Sequence, residues 1–167
     1  MVFPIEPDGR RASLATIART WIGTPYIRRG MIKGAGADCA TLVLACLIEH
    51  GCVTDVDGDE DLRQVFSDDW FVHSAVEEYQ FRVMRHARKL CECVGYRTSK
   101  IDTGCILLVR AAGSKRYNHA GLCVGWPRVV HAIAPAVEEI DASRHPMWMN
   151  HEIAVFDPFS KSPLTKC

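Results

Sequence analysis

The chain has no excess of charge of either sign: Lys plus Arg and Asp plus Glu stand at 20 each, for a formal net charge of zero. It therefore has no bulk attraction for nucleic acid or for an anionic membrane, and no nucleic-acid partner is expected. No apolar run reaches the roughly 18 residues that a membrane helix needs. The start, "MVFPIEPDGRRASLATIARTW", lacks the basic residues, long apolar stretch and small-residue cleavage site of a secretory signal. The expectation is synthesis in the cytoplasm without a signal peptide and no membrane insertion. Also missing are a G-x-S-x-G elbow, a Walker loop, a dinucleotide fingerprint, internal repeats, low-complexity tracts and an interdomain linker.

Cysteine, by contrast, is plentiful: eight residues, at 39, 46, 52, 91, 93, 105, 123 and 167. A disulfide framework belongs to a secreted context, which is missing, so most of these read as reduced thiols packed as small hydrophobes. The 167 residues suit one domain, long enough to bury a core unaided.

Leu14, Ile17, Ala18, Trp21 and Ile22 recur at helical spacing behind Ser13, a good N-cap, and the helix should stop before Gly23 and Pro25. Residues 27–37 read as a loop. Asp38 can cap a second helix whose residues Ala40 to Ile48 are apolar on every face, with Gly51 in the C-terminal glycine position. "VTDVDGDEDLRQVFSDD" (53–69) reads as an acidic surface excursion, and Val76, Tyr79, Val83, Met84, Ala87 and Leu90 predict a helix from about Ser74 to Leu90. Together they form a mainly helical insert at about 53–100. Then the period changes: "CILLVR", "HAGLCVG", "RVVHAI", "VEEID" and "EIAVF" are short, β-branched-rich runs separated by Gly, Pro and Asn. Helices followed by strands give an α+β domain, helices packed on one side of a mainly antiparallel sheet.

Within that frame Cys39 stands out. As the first residue of the buried helix it lies among unpaired backbone N–H groups, where thiolate is favoured over thiol. The glycines of "GAGA" before it admit a close backbone, and the same N–H groups suit an oxyanion. A buried cysteine is nonetheless also ordinary core filler, and position alone leaves both readings open. A base would decide. His119 opens "HAGLCVG" and His131 lies within "VVHAI"; either alone reads as a satisfied core histidine, whereas together they suit a cysteine–histidine site with a third, orienting residue. Parity imposes a condition. A two-residue turn at 126 and 127 pairs 119 with 134 and splits the histidines between faces, whereas an odd turn centred on Trp126, or a bulge, puts both on one face.

The other titratable groups carry less. His50 ends a helix, where a cation is favourable anyway; His73, His145 and His151 have no comparable context. His86, Cys91 and Cys93 do not match structural zinc spacing, and "DVDGDED" departs from the calcium-loop pattern, so no metal site is expected.

In order, "GTPY" (23–26), "DC" (38–39), "DTGCILLV" (102–109), "NHAGLCVG" (118–125) and "VVHA" (129–132) resemble the NlpC/P60 family of papain-like cysteine peptidases, over residues 12 to 134. The resemblance implies a papain-like fold with Cys39 as nucleophile, His119 as general base and acid, and His131 as the orienting residue. It places Tyr26 and Asp38 in the substrate site, and the basic loop adds Arg28 as a candidate for stem-peptide carboxylates. It implies hydrolysis of peptidoglycan stem peptides, typically between γ-D-glutamyl and a diamino acid, with no cofactor and no metal. "FSDDWF" (66–71) is similar to phage- or prophage-encoded cell-wall peptidases, implying phage tail proteins as partners and action in the periplasm after delivery, or on the virion. "DCATL" departs from the family's usual "DCSGL" at Ala40 and Thr41. Two other functions remain open: an amidase or acyltransferase using the same site, and a non-catalytic tail component.

Overall fold

The computed structural model describes residues 7–52, 88–94, 101–111, 113–115 and 117–159. Two helices, α1 (Pro7–Arg19) and α2 (Cys39–His50), pack against a six-stranded sheet built from β3 (Arg88–Val94), β4 (Ile106–Val109), β5 (His119–Gly125), β6 (Arg128–Ile133), β7 (Ala136–Asp141) and β8 (Glu152–Asp157). Strand order is β3-β8-β4-β5-β6-β7 and every neighbouring pair is antiparallel. This is the expected α+β architecture.

α2 is the central mount. Asp38 is extended (φ −107°, ψ 179°) and caps the helix, while Gly51 takes the left-handed conformation (φ 81°) that ends it. Between them, Cys39 to Leu47 are all buried. That follows from nine residues without a charge, because a helix apolar all round has no face to offer water. α1 begins six residues before the expected Ser13 cap. Pro7 suits a first helical position, and Arg10, Ala12 and Ser13 are too solvent-exposed to give an apolar stripe. Its buried face, Leu14, Ala15 and Ala18, meets α2 and β5. Arg11 anchors it to β8 by a 2.6 Å ion pair with Asp157.

Two further expectations change. The loop at 27–37 contains a small hairpin, β1 (Met31–Ile32) with β2 (Gly36–Ala37). The helix expected from Ser74 to Leu90 does not include its last residues: Arg88 to Leu90 belong to β3, paired with β8. Pairing along an open sheet edge overrides a helical stripe that continues only by chance. The rest of that helix and of the 53–100 insert, the acidic excursion included, lies outside the described residues.

The β5–β6 hairpin meets the parity condition in an unforeseen way. Gly125 pairs with Arg128 around a two-residue turn, but a bulge between Cys123 and Gly125 shifts the register, so that Gly121 faces His131. His119 therefore shares a face with His131. The alternation also divides the core: Ala120, Leu122 and Val124 join the helices, whereas Cys123, Val129 and Trp148 form a second cluster on the other side of the sheet.

Candidate active site

Asp38 holds together the loop and the helix start. Its Oδ1 accepts the N–H groups of Ala40 (3.0 Å) and Thr41 (2.8 Å), and its Oδ2 accepts that of Arg29 (2.8 Å). Thr41 completes a capping box, accepting Asp38 N–H at 2.9 Å, and its hydroxyl donates to Gly30 O. The departure at residue 41 is therefore structural, since glycine there would forfeit both ties. Thr41→Gly is expected to destabilise the protein by about 1–3 kcal/mol, read as a lower urea midpoint.

The Cys39 sulfur is buried, with 9 % of the residue exposed. Burial first, and then the Asp38 carboxylate, push its thiol up to about 12; the N–H groups of Ala120, Ala40 and Cys39 itself act in the opposite sense. The helix terminus alone favours thiolate, but the cap that starts the helix takes up two first-turn N–H groups and adds a negative charge beside the sulfur. At rest Cys39 is a neutral thiol.

His119 and His131 come together. His119 Nε2 lies 2.8 Å from His131 Nδ1, and both rings are buried edge-on against Trp148. The Trp148 indole, which can only donate, directs its N–H at the same Nδ1 from 3.3 Å. That nitrogen is therefore an acceptor, and the proton of His131 sits on Nε2, facing Glu138 Oε1 at 3.3 Å. His119 must then donate from Nε2, which leaves its Nδ1 lone pair as the open base. The network thus sets a one-way chain, His119 to His131 to Glu138. No hydrogen bond among the described residues joins Cys39 to a histidine ring. The tie between them is Ala120 N–H, one peptide past His119, which points at the sulfur.

Burial holds both histidines well below their ordinary value near 6.5; for His119 the neighbouring His131 adds to this, while for His131 the Glu138 hydrogen bond partly opposes it. Below pH 6.5 the unfolded chain takes up protons that the folded rings refuse. Folding stability is expected to fall as pH drops from about 6.5 toward 4, by up to ~1.4 kcal/mol per pH unit for each ring. Urea midpoints at pH 7.5 and 5 check this, and His131→Asn should flatten the slope.

Of the expected substrate residues, Tyr26 is half-buried beside Cys39. Burial, followed by Cys39 and Asp38, raises its phenol above the usual range, and Arg28 acts in the opposite sense. Arg28 is exposed. Asp38 has both carboxylate oxygens committed to backbone N–H groups, which makes it the clamp of this corner.

Sequence reasoning missed Glu138, Trp148 and Gly121. Glu138 was within reach: a two-residue turn at Ala134 and Pro135 pairs it with His131, as found. Trp148 lies in an irregular stretch without periodicity. Gly121 makes room for it, since a Cβ there would lie 3.1 Å from the indole and 2.7 Å from Val129 Cγ1.

No protein-family model and no curated protein matches the sequence. Solved structures do match in fold. The NlpC/p60 domain of the peptidoglycan hydrolase SagA superposes with a TM-score of 0.54 at 21 % identity, over 87 % of this chain and 97 % of that one. An NLP/P60-family lipoprotein-like protein of Staphylococcus aureus gives 0.58 at 14 % identity, over 96 % of this chain and 44 % of its own. An N-acetylmuramoyl-L-alanine amidase of Bacteroides uniformis gives 0.52 at 11 %, over 89 % and 99 %. With two helices packed on an antiparallel sheet and Cys39 opening the central helix, the chain has the NlpC/P60 fold.

Proposed function

We propose that the protein is a cysteine peptidase that cleaves amide bonds in peptidoglycan stem peptides. The observation that carries this reading is the directed chain from His119 through His131 to Glu138, which leaves His119 Nδ1 without a partner among the described residues, on the strand whose next N–H favours the Cys39 thiolate. Substrate binding brings Nδ1 and Sγ into contact, as catalytic hydrogen bonds loose at rest tighten in complexes. His119 Nδ1 takes the thiol proton, and Sγ attacks the amide carbon. The imidazolium donates from Nε2 to His131, whose own Nε2–H leans on Glu138. Cys39 N–H faces the developing oxyanion, and His119 returns the proton to the leaving amine. Water, deprotonated by His119, then releases the acyl group from sulfur.

The γ-D-glutamyl–diamino acid bond is the proposed target, and the solved peptidoglycan hydrolase of similar fold supports the substrate class. Similarity to an N-acetylmuramoyl-L-alanine amidase supports a second reading, cleavage at the lactyl–alanine amide. Mass spectra of soluble fragments from purified peptidoglycan separate them: new diamino-acid amines support the peptidase, free L-alanine termini support the amidase, and no new amine of either kind overturns both. The "FSDDWF" resemblance supports a phage or prophage origin with delivery in tail-associated particles; absence of the protein from purified particles would count against it.

A further inference from the structure

The geometry points to a second role for the outer end of this chain: His131, Glu138 and His145 form a site for a zinc-type divalent ion whose binding switches the cysteine–histidine pair off. One donor atom from each residue lies within 4.8 Å of the others. Two imidazoles and a carboxylate are a zinc-type donor set, and three protein ligands leave a fourth position for water. His131 Nε2 and Glu138 Oε1 are already 3.3 Å apart. Two ligands of a tetrahedral ion at 2.0–2.1 Å stand about 3.3–3.4 Å apart, so this pair needs no rearrangement. His145 closes in from the side, its ring edge-on to His131 with centroids 5.3 Å apart. The Glu138 side chain is 49 % exposed, which gives an ion a path in.

The switch follows from proton positions. An ion on His131 Nε2 takes the lone pair there and displaces that proton to solvent. As a neutral ligand His131 must then carry its proton on Nδ1, received from His119 Nε2. His119 in turn binds a solvent proton at Nδ1, so the count balances at one proton out and one in. With Nδ1 protonated, His119 donates where it previously accepted, and the Cys39 thiol loses its base. Trp148 N–H then faces another N–H, a cost that keeps the switch reversible.

The inhibitory role rests on the cysteine-peptidase reading; the ion site does not. Zn²⁺ alone is titrated calorimetrically into Cys39→Ala and into Cys39→Ala/His145→Ala, so that zinc binding to the nucleophile or to distant cysteines cancels. Loss of one equivalent, or at least ~10-fold weaker binding, with His145→Ala is expected; identical isotherms would overturn the site. Imidazole ¹⁵N spectra of the zinc-loaded Cys39→Ala protein should show the His119 proton moved from Nε2 to Nδ1. An unmoved proton would overturn the switch whether or not wild type hydrolyses peptidoglycan.

Discussion

Cys39→Ala is expected to lower the release of new amines from peptidoglycan by about 10⁴–10⁶-fold, to the background of the assay, while the fold survives. In the proposed reaction the cysteine supplies both the bond to the acyl group and the leaving atom for water, and neither has a substitute. Alanine fits the same buried position and leaves the Asp38 cap untouched, so the loss is chemical, and an unchanged urea midpoint within ~1 kcal/mol separates it from unfolding. Bulk thiol labelling is a poor proxy for this experiment. Cys46, Cys105 and Cys123 are buried and held protonated mainly by desolvation. Cys52, just past the end of α2, is half-buried with its sulfur 3.0 Å from His50 Nδ1, and burial raises its thiol too. Among the five described cysteines Cys52 is the least buried, so iodoacetamide labelling at neutral pH has to be read residue by residue by mass spectrometry. Full activity in Cys39→Ala would remove the nucleophile from the reading altogether.

The parts of this protein that were legible in the sequence are those where local rules and tertiary packing agree. Asp38, nine uncharged residues and Gly51 specify α2 without reference to anything else, and the five β-branched runs all became strands where the punctuation of Gly, Pro and Asn placed them. The start of α1 was hidden because its first turns, with Arg10, Ala12 and Ser13 exposed, carry no apolar period. Arg88 to Leu90 went to β3 because strand pairing is a long-range choice that a local stripe does not report. The site shows the same division. Cys39, His119 and His131 stand out as residue types in unusual surroundings, and turn parity stated what the hairpin had to do. The bulge that satisfied it, and the Trp148 indole that fixes which nitrogen carries the proton, are facts of register and packing. The charge state of Cys39 differs from what position alone suggests: burial first, and then the Asp38 carboxylate, hold the thiol neutral against the helix N–H groups that favour thiolate.

That neutral resting thiol sets the size of the effect at His119. With its thiol pushed up to about 12, Cys39 unaided is ionised at pH 7 to only about one part in 10⁵, so the proposed reaction depends on a base acting within the complex. His119→Ala is expected to lower kcat/KM by about 10³–10⁴-fold at pH 7. The pH profile discriminates further. Once the base is gone, only solvent hydroxide makes thiolate, and the residual rate should climb about tenfold per pH unit from 7 to 9.5, since that whole range lies below the thiol's pKa. Wild type should stay nearly flat there, because the buried ring has already lost its proton well below pH 7. His131→Asn should fall between the two, at about 10–100-fold, since an amide can still accept the Nε2 proton of His119 but passes nothing on to Glu138. A flat profile in His119→Ala would mean that another group takes the thiol proton.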